Sequence, residues 1–114
     1  MNNPAPHQWE IDCRSVDAKR KIGESFLFVD CRERDEYATA KIDGAVLVPM
    51  SEIDMRLAEL EPHRQGEIIV HCHHGSRSLR VARWLAEQGF AHVKSMAGGI
   101  DQWATEIDTS VPRY

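Results

Sequence analysis

The run His71-Cys72-His73-His74-Gly75-Ser76-Arg77-Ser78 holds the residues of this chain best placed to do chemistry. It follows the apolar Ile68-Ile69-Val70 and precedes an amphipathic pattern, so it reads as a strand, a tight loop and a helix. Cys72 opens the loop and Arg77 closes it in Cys-x4-Arg spacing, one residue shorter than a Cys-x5-Arg cradle sized for a tetrahedral phosphate. Such a loop turns its backbone N–H groups inward, and its length sets the anion they can surround. The shorter form suits an anionic sulfur carried on the cysteine. A helix dipole and unpaired N–H groups also stabilise a thiolate at this position. Arg77 adds a fixed positive charge, and His73 and His74 add partial ones. Cys72 is therefore expected to be a nucleophile with a depressed pKa rather than a buried structural cysteine.

The other candidates receive different readings. Cys31 ends an apolar strand between Asp30 and Glu33, whose charges disfavour a thiolate, so a packing role is expected. A secondary role as a resolving thiol for Cys72 stays open, because both strand ends face one crevice. Cys13 is expected to be inert, and His71, inside its strand, to be a hydrogen-bonded core residue. Four potential ligands in a row, His71 to His74, do not make a metal site, since structural spacings leave at least two residues between ligands. No metal and no cofactor are expected. A Cys-His-Asn protease would need a base held against the cysteine, and adjacent loop histidines point in different directions. Gly98-Gly99 lacks the lysine and spacing of a nucleotide P-loop and is read as a turn into a helix.

The elements that must position this loop are legible as alternating patterns. Strands are expected at Glu10–Cys13, Phe26–Cys31, Ala45–Val48, Ile68–Cys72 and Val93–Met96. Between them, Ser15 is read as the cap of a helix to about Lys21, and Arg34 to Ala40 as a weaker helix. Ser51 and Asp54 resemble a capping box for a helix ending before Pro62. The strongest helical pattern runs from about Arg77 to Gln88, with Leu79, Ala82, Leu85 and Ala86 as its apolar stripe and Gly89 as its stop. A last helix after Gly99 buries Ile100 and Trp103. Strands alternating with helices imply an α/β fold, a mostly parallel sheet with helices on both faces. Its ligand crevice lies beyond the C-terminal strand ends, where Asp30-Cys31-Arg32-Glu33 and the cysteine loop both emerge.

At 114 residues, 42% hydrophobic and 28% charged, the chain reads as one globular domain over residues 1–114, with a loose leader at 1–8 and a tail at 108–114. A net charge of -4 argues against a nucleic-acid footprint. No apolar run reaches membrane-spanning length and no secretory signal is visible, so a cytoplasmic monomer without membrane contact is expected. Three cysteines, an odd count without a Cys-x-x-Cys pair, favour free thiols.

With loop and strand order in hand, the chain resembles a single rhodanese domain of the sulfurtransferases from Trp9 to Tyr114. The resemblance rests on Val29-Asp30-Cys31-Arg32-Glu33-Arg34-Asp35-Glu36-Tyr37, close to the family's Asp-x-Arg-Glu-x-x-Glu-Tyr/Phe pattern, on Ala40-Lys41-Ile42-Asp43-Gly44-Ala45, on the cysteine loop, and on Ala97-Gly98-Gly99-Ile100-Asp101-Gln102-Trp103. The tail Ile107 to Tyr114 is similar to that of rhodanese domains fused to adenylyltransferases, which hand sulfur to ubiquitin-like carrier proteins. The resemblance implies a three-layer α/β/α fold with a five-stranded sheet, and a persulfide on Cys72 held by the loop His73, His74, Gly75, Ser76, Arg77 and Ser78. Arg77 would orient an anionic donor, and Ser76 and Ser78 would donate hydrogen bonds or cap the helix. Asp30, Arg32 and Glu33 would brace the loops through ion pairs. The implied partners are a small anionic sulfur donor such as thiosulfate, a cysteine desulfurase or a sulfur-carrier protein. Lys41 and Asp43 stand where the family usually has His and Pro. His73-His74 stand where the best thiosulfate-using members have Arg-Lys, and neutral imidazoles hold a dianion less well. Competing readings are a non-enzymatic carrier or partner-binding module and, on Cys-loop-Arg alone, a cysteine phosphatase or arsenate reductase.

Overall fold

The computed structural model describes residues 8–114, so the leader expected over residues 1–8 lies, apart from Gln8, outside the described residues. Five strands form one sheet: β1 (Glu10–Ile11), β2 (Leu27–Asp30), β3 (Val46–Leu47), β4 (Glu67–His71) and β5 (His92–Met96), in the order β1-β5-β4-β2-β3. Every pairing among them is parallel, and Asp30 of β2 lies opposite His71 of β4. The connections carry α1 (Cys13–Lys21), α2 (Arg34–Thr39), α3 (Leu57–Leu60) and α4 (Ser76–Glu87), and α5 (Gly99–Glu106) follows β5.

The pleat divides the core between the two faces of the sheet. Val29, Cys31, Ile68, Val70 and Cys72 pack with Val81, Ala82 and Leu85 of α4 on one side. Phe28, Ile69 and Met96 pack with Val16 of α1 and Ile100, Trp103 and Ala104 of α5 on the other. Alternating residues of β2 and β4 thus feed opposite layers, giving the expected three-layer α/β/α fold.

Four local expectations need correction. Cys13 belongs to α1 and not to β1, because Asp12 caps that helix by accepting from the Ser15 N–H at 2.7 Å. Ser15 is therefore the capped residue and not the cap. No helix starts at Ser51, whose hydroxyl donates to Glu33 at 2.7 Å; turns fill the segment until α3. On α4 the buried stripe is Ser78, Val81, Ala82 and Leu85, while Leu79 and Ala86 are only half-buried. Ser78 is drawn inward by polar partners beneath the loop.

Glycines shape the entry to both helices beside the site. Gly75 caps α4 at φ 106°. Gly99, at φ 59°, brings α5 so close that a Cβ there would collide with the carbonyl oxygens of Cys72 and His73.

Candidate active site

β4 ends at His71 and α4 begins at Ser76, so the four residues between them must reverse direction with Cys72 at the base. The Cys72 sulfur is fully buried and accepts the N–H groups of Gly75 at 3.1 Å and Ser78 at 3.2 Å. The Ser78 hydroxyl lies 3.4 Å from the sulfur and 2.7 Å from the hydroxyl of Ser95 on β5. The loop is fixed from behind: Ile100 donates to the Cys72 carbonyl at 2.9 Å and Asp101 to that of His73 at 3.1 Å. With its carbonyls held by the first turn of α5, the loop keeps amides on its inner side. The amides of Ser76 and Arg77 add to them, since a helix's first N–H groups have no intrahelical acceptor.

Cys31 is the lateral neighbour of Cys72. Its N–H donates to the His71 carbonyl at 3.0 Å, continuing the β2–β4 ladder past the last paired rung. Its thiol, hydrogen-bonded to Cys72 and buried, is pushed well above the ordinary range. The same contact holds Cys72 well below it: the Cys31 thiol comes first, and the Ser78 and Gly75 donors add to it against the cost of burial. One of the two sulfurs carries the charge, and it is Cys72. Cys13 sits in the opposite layer, where burial first and then Glu106 push its thiol up to about 12.

Asp30 lies opposite His71 at the foot of the loop, while the contacts of Arg32, Glu33 and Arg77 run to other segments. Asp30 and Arg32 form a completely buried ion pair, Oδ2 to Nη2 2.6 Å and Oδ1 to Nε 2.9 Å. Arg32 also donates to the Ala40 carbonyl and to the Tyr114 hydroxyl, so every face of the guanidinium has a partner. Glu33 accepts from Ser51, across to the segment after β3. Arg77 is bound at both terminal nitrogens to Glu36, at 2.7 and 2.9 Å, so its guanidinium is not free at the mouth. That contact is the first cause holding the Glu36 carboxyl down at about 2. Ser76 is exposed and Gly75, not Ser76, occupies the cap position.

Three further participants come from segments distant in sequence. Tyr114 stacks on His73, ring centroids 4.0 Å apart, while its hydroxyl donates to Glu36 at 2.9 Å. His73 in turn stacks on His74 at 3.9 Å. Asp101 brings an oxygen to within 4.8 Å of nitrogens on both histidines, a grouping that could ligate a metal and that His71 to His74 alone did not suggest. Arg113 already pairs with that carboxylate at 2.9 and 3.2 Å. The sequence signal for these residues is the family resemblance, whose motifs include Glu36 and Asp101 and whose tail includes Arg113 and Tyr114. Ser95 gives none.

The arrangement can hold a thiolate, and an anionic sulfur beyond it, in a nest of amides and hydroxyls. The family model for the rhodanese-like domain matches residues 11–106. A sulfurtransferase of Allochromatium vinosum is 34% identical over 83% of this chain and 87% of its own. The adenylyltransferase and sulfurtransferase MOCS3-2 of Zea mays is 31% identical over 98% of this chain, which spans only 24% of that protein. Among solved structures, a rhodanese-related protein of Thermoplasma volcanium superposes with a TM-score of 0.76 at 26% identity, over 87% of this chain and 93% of its own.

Proposed function

The chain belongs to the rhodanese-like family, and from that membership we propose that it moves a sulfane sulfur through a persulfide on Cys72. The observation that carries the reading is the fully buried Cys72 sulfur, held by two backbone N–H groups and a serine hydroxyl at a helix N-terminus. The thiolate attacks the outer sulfur of thiosulfate or a protein persulfide, and sulfite or the donor's thiolate leaves with the bonding pair. The loop amides, with those of Ser76 and Arg77 at the first turn of α4, then hold the terminal sulfur. A thiol or a sulfur-carrier protein removes it.

Arg77 acts in this scheme through its pair with Glu36, which ties the start of α4 to α2 and fixes the loop opening. Asp30, Arg32 and Glu33 brace the loops from below. Donor selection falls to the stacked His73 and His74 at the mouth. Imidazoles where the best thiosulfate-using members have Arg-Lys favour a donor delivered on a protein surface over free thiosulfate. Among the described residues no helix is long and apolar enough to cross a membrane.

Intact mass after incubation with thiosulfate, with sodium tetrasulfide and with a persulfidated cysteine desulfurase tests the reading. The wild type should gain one sulfur atom and lose it to added cyanide, whereas Cys72→Ala should gain none. Sulfur uptake by the Cys72→Ala protein would overturn it.

A further inference from the structure

Cys31 forms no bond to sulfur in that transfer, yet the fold sets it beside the sulfur that does. Asp30 and His71 are paired across β2 and β4, and the Cys31 N–H bonds the His71 carbonyl, so Cys31 and Cys72 occupy the next rung. Both belong to one core layer with Val29, Ile68 and Val70, so their side chains leave the same face of the sheet. Lateral neighbours on parallel strands lie about 4.8 Å apart, inside the Cα separation of about 4.4–6.8 Å that a disulfide spans. Both sulfurs are closed to solvent. The loop amides hold Cys72 from the α4 side, and its β2 side is left to Cys31. Cys13, the only other cysteine, lies in the opposite layer.

From this placement we infer that Cys31 is a resolving thiol: when no acceptor arrives, it displaces the stored sulfur from Cys72 as sulfide and leaves a Cys31–Cys72 disulfide. The inference rests on the Cys72 persulfide proposed above. The Cys31 thiol gives its proton to the terminal persulfide sulfur, and its own sulfur bonds to Cys72 Sγ. The bond from Sγ to the terminal sulfur breaks, and hydrosulfide departs with the electron pair. The sulfane sulfur is the oxidant, reduced to sulfide while the two cysteine sulfurs are oxidised. A dithiol reductant restores the pair. Until sulfur is loaded, the protonated Cys31 serves only as a hydrogen-bond donor to the Cys72 thiolate.

The test loads wild type, Cys31→Ser and Cys31→Ala with thiosulfate or sodium tetrasulfide, removes the donor, and follows intact mass and trapped sulfide without any acceptor. The wild type should pass from one sulfur heavier to two hydrogens lighter, releasing one sulfide per chain, and its digest should contain a peptide joining Cys31 to Cys72. Both variants should keep the added sulfur about tenfold longer or more, and release no comparable sulfide. Their uptake of sulfur shows that the loop is folded. Equal persistence of the persulfide in wild type and variants overturns the inference but leaves the persulfide standing. A disulfide joining Cys72 to Cys13 or to a second chain overturns it too. If no form gains sulfur, both readings fall together.

Discussion

Cys72 keeps its charge in a buried place because each neighbour that could oppose it has been turned into a donor. Cys31 stays protonated and faces it, Ser78 offers an N–H and a hydroxyl, and Gly75 offers an N–H. The cost of burial is outweighed by these contacts, so the thiolate persists at acidities where a free thiol is protonated. Alkylation of Cys72 by iodoacetamide should therefore stay nearly constant as pH falls through about 8.5, the ordinary thiol midpoint. A rate that halves at that midpoint would show an unperturbed cysteine. Ser95 acts one bond further out, where its hydroxyl fixes that of Ser78. Ser95→Ala should slow alkylation by several-fold and leave the protein folded, checked by its far-ultraviolet circular dichroism.

At the scale of elements, the loop is held between two helix starts, α4 in front and α5 behind. Gly99 makes the second contact possible, since its φ is positive and a side chain would meet the Cys72 and His73 carbonyls. Gly99→Ala should lower stability by about 2 kcal/mol or more in urea denaturation, and reduce persulfide formation with it. A Gly23→Ala control, where no atom lies within 4 Å of the added methyl, bears only the backbone penalty. The strands and helices themselves were largely legible, because apolar runs and amphipathic stripes are local properties of the chain. So was the cysteine loop, whose residues are consecutive. What hid were contacts between segments far apart: Glu36 on Arg77, Tyr114 on His73 and Asp101 beside both histidines. Arg77 reads as a fixed charge that orients an anionic donor for that reason, since nothing local shows that α2 supplies its carboxylate. Ser51 misled for the converse reason, its capping pattern being diverted to Glu33 across 18 residues.

For the whole molecule, Glu36 joins α2, α4 and the tail through Arg77 and Tyr114. Its carboxyl titrates at about 2 in the fold against an ordinary value of 4.5. A depressed carboxyl contributes stability in full above its unfolded pKa and loses it as pH falls towards its folded one. The wild type should thus lose denaturant resistance between pH 4.5 and about 2, and Glu36→Gln should lose less across that window while being weaker at neutral pH. Parallel curves for the two proteins would refute the assignment. The parallel sheet has a consequence of another kind, in time. No two neighbouring strands are joined by a hairpin; β1 must find β5 across most of the sequence, and such distant pairings form late. Cys31 just past β2, Ser95 on β5 and Ile100 on α5 complete the surroundings of Cys72, so the site draws on segments well before and well after its own loop. A chain in which those segments have not met therefore leaves Cys72 without part of its donor set, and the thiol gains its full reactivity only as they dock.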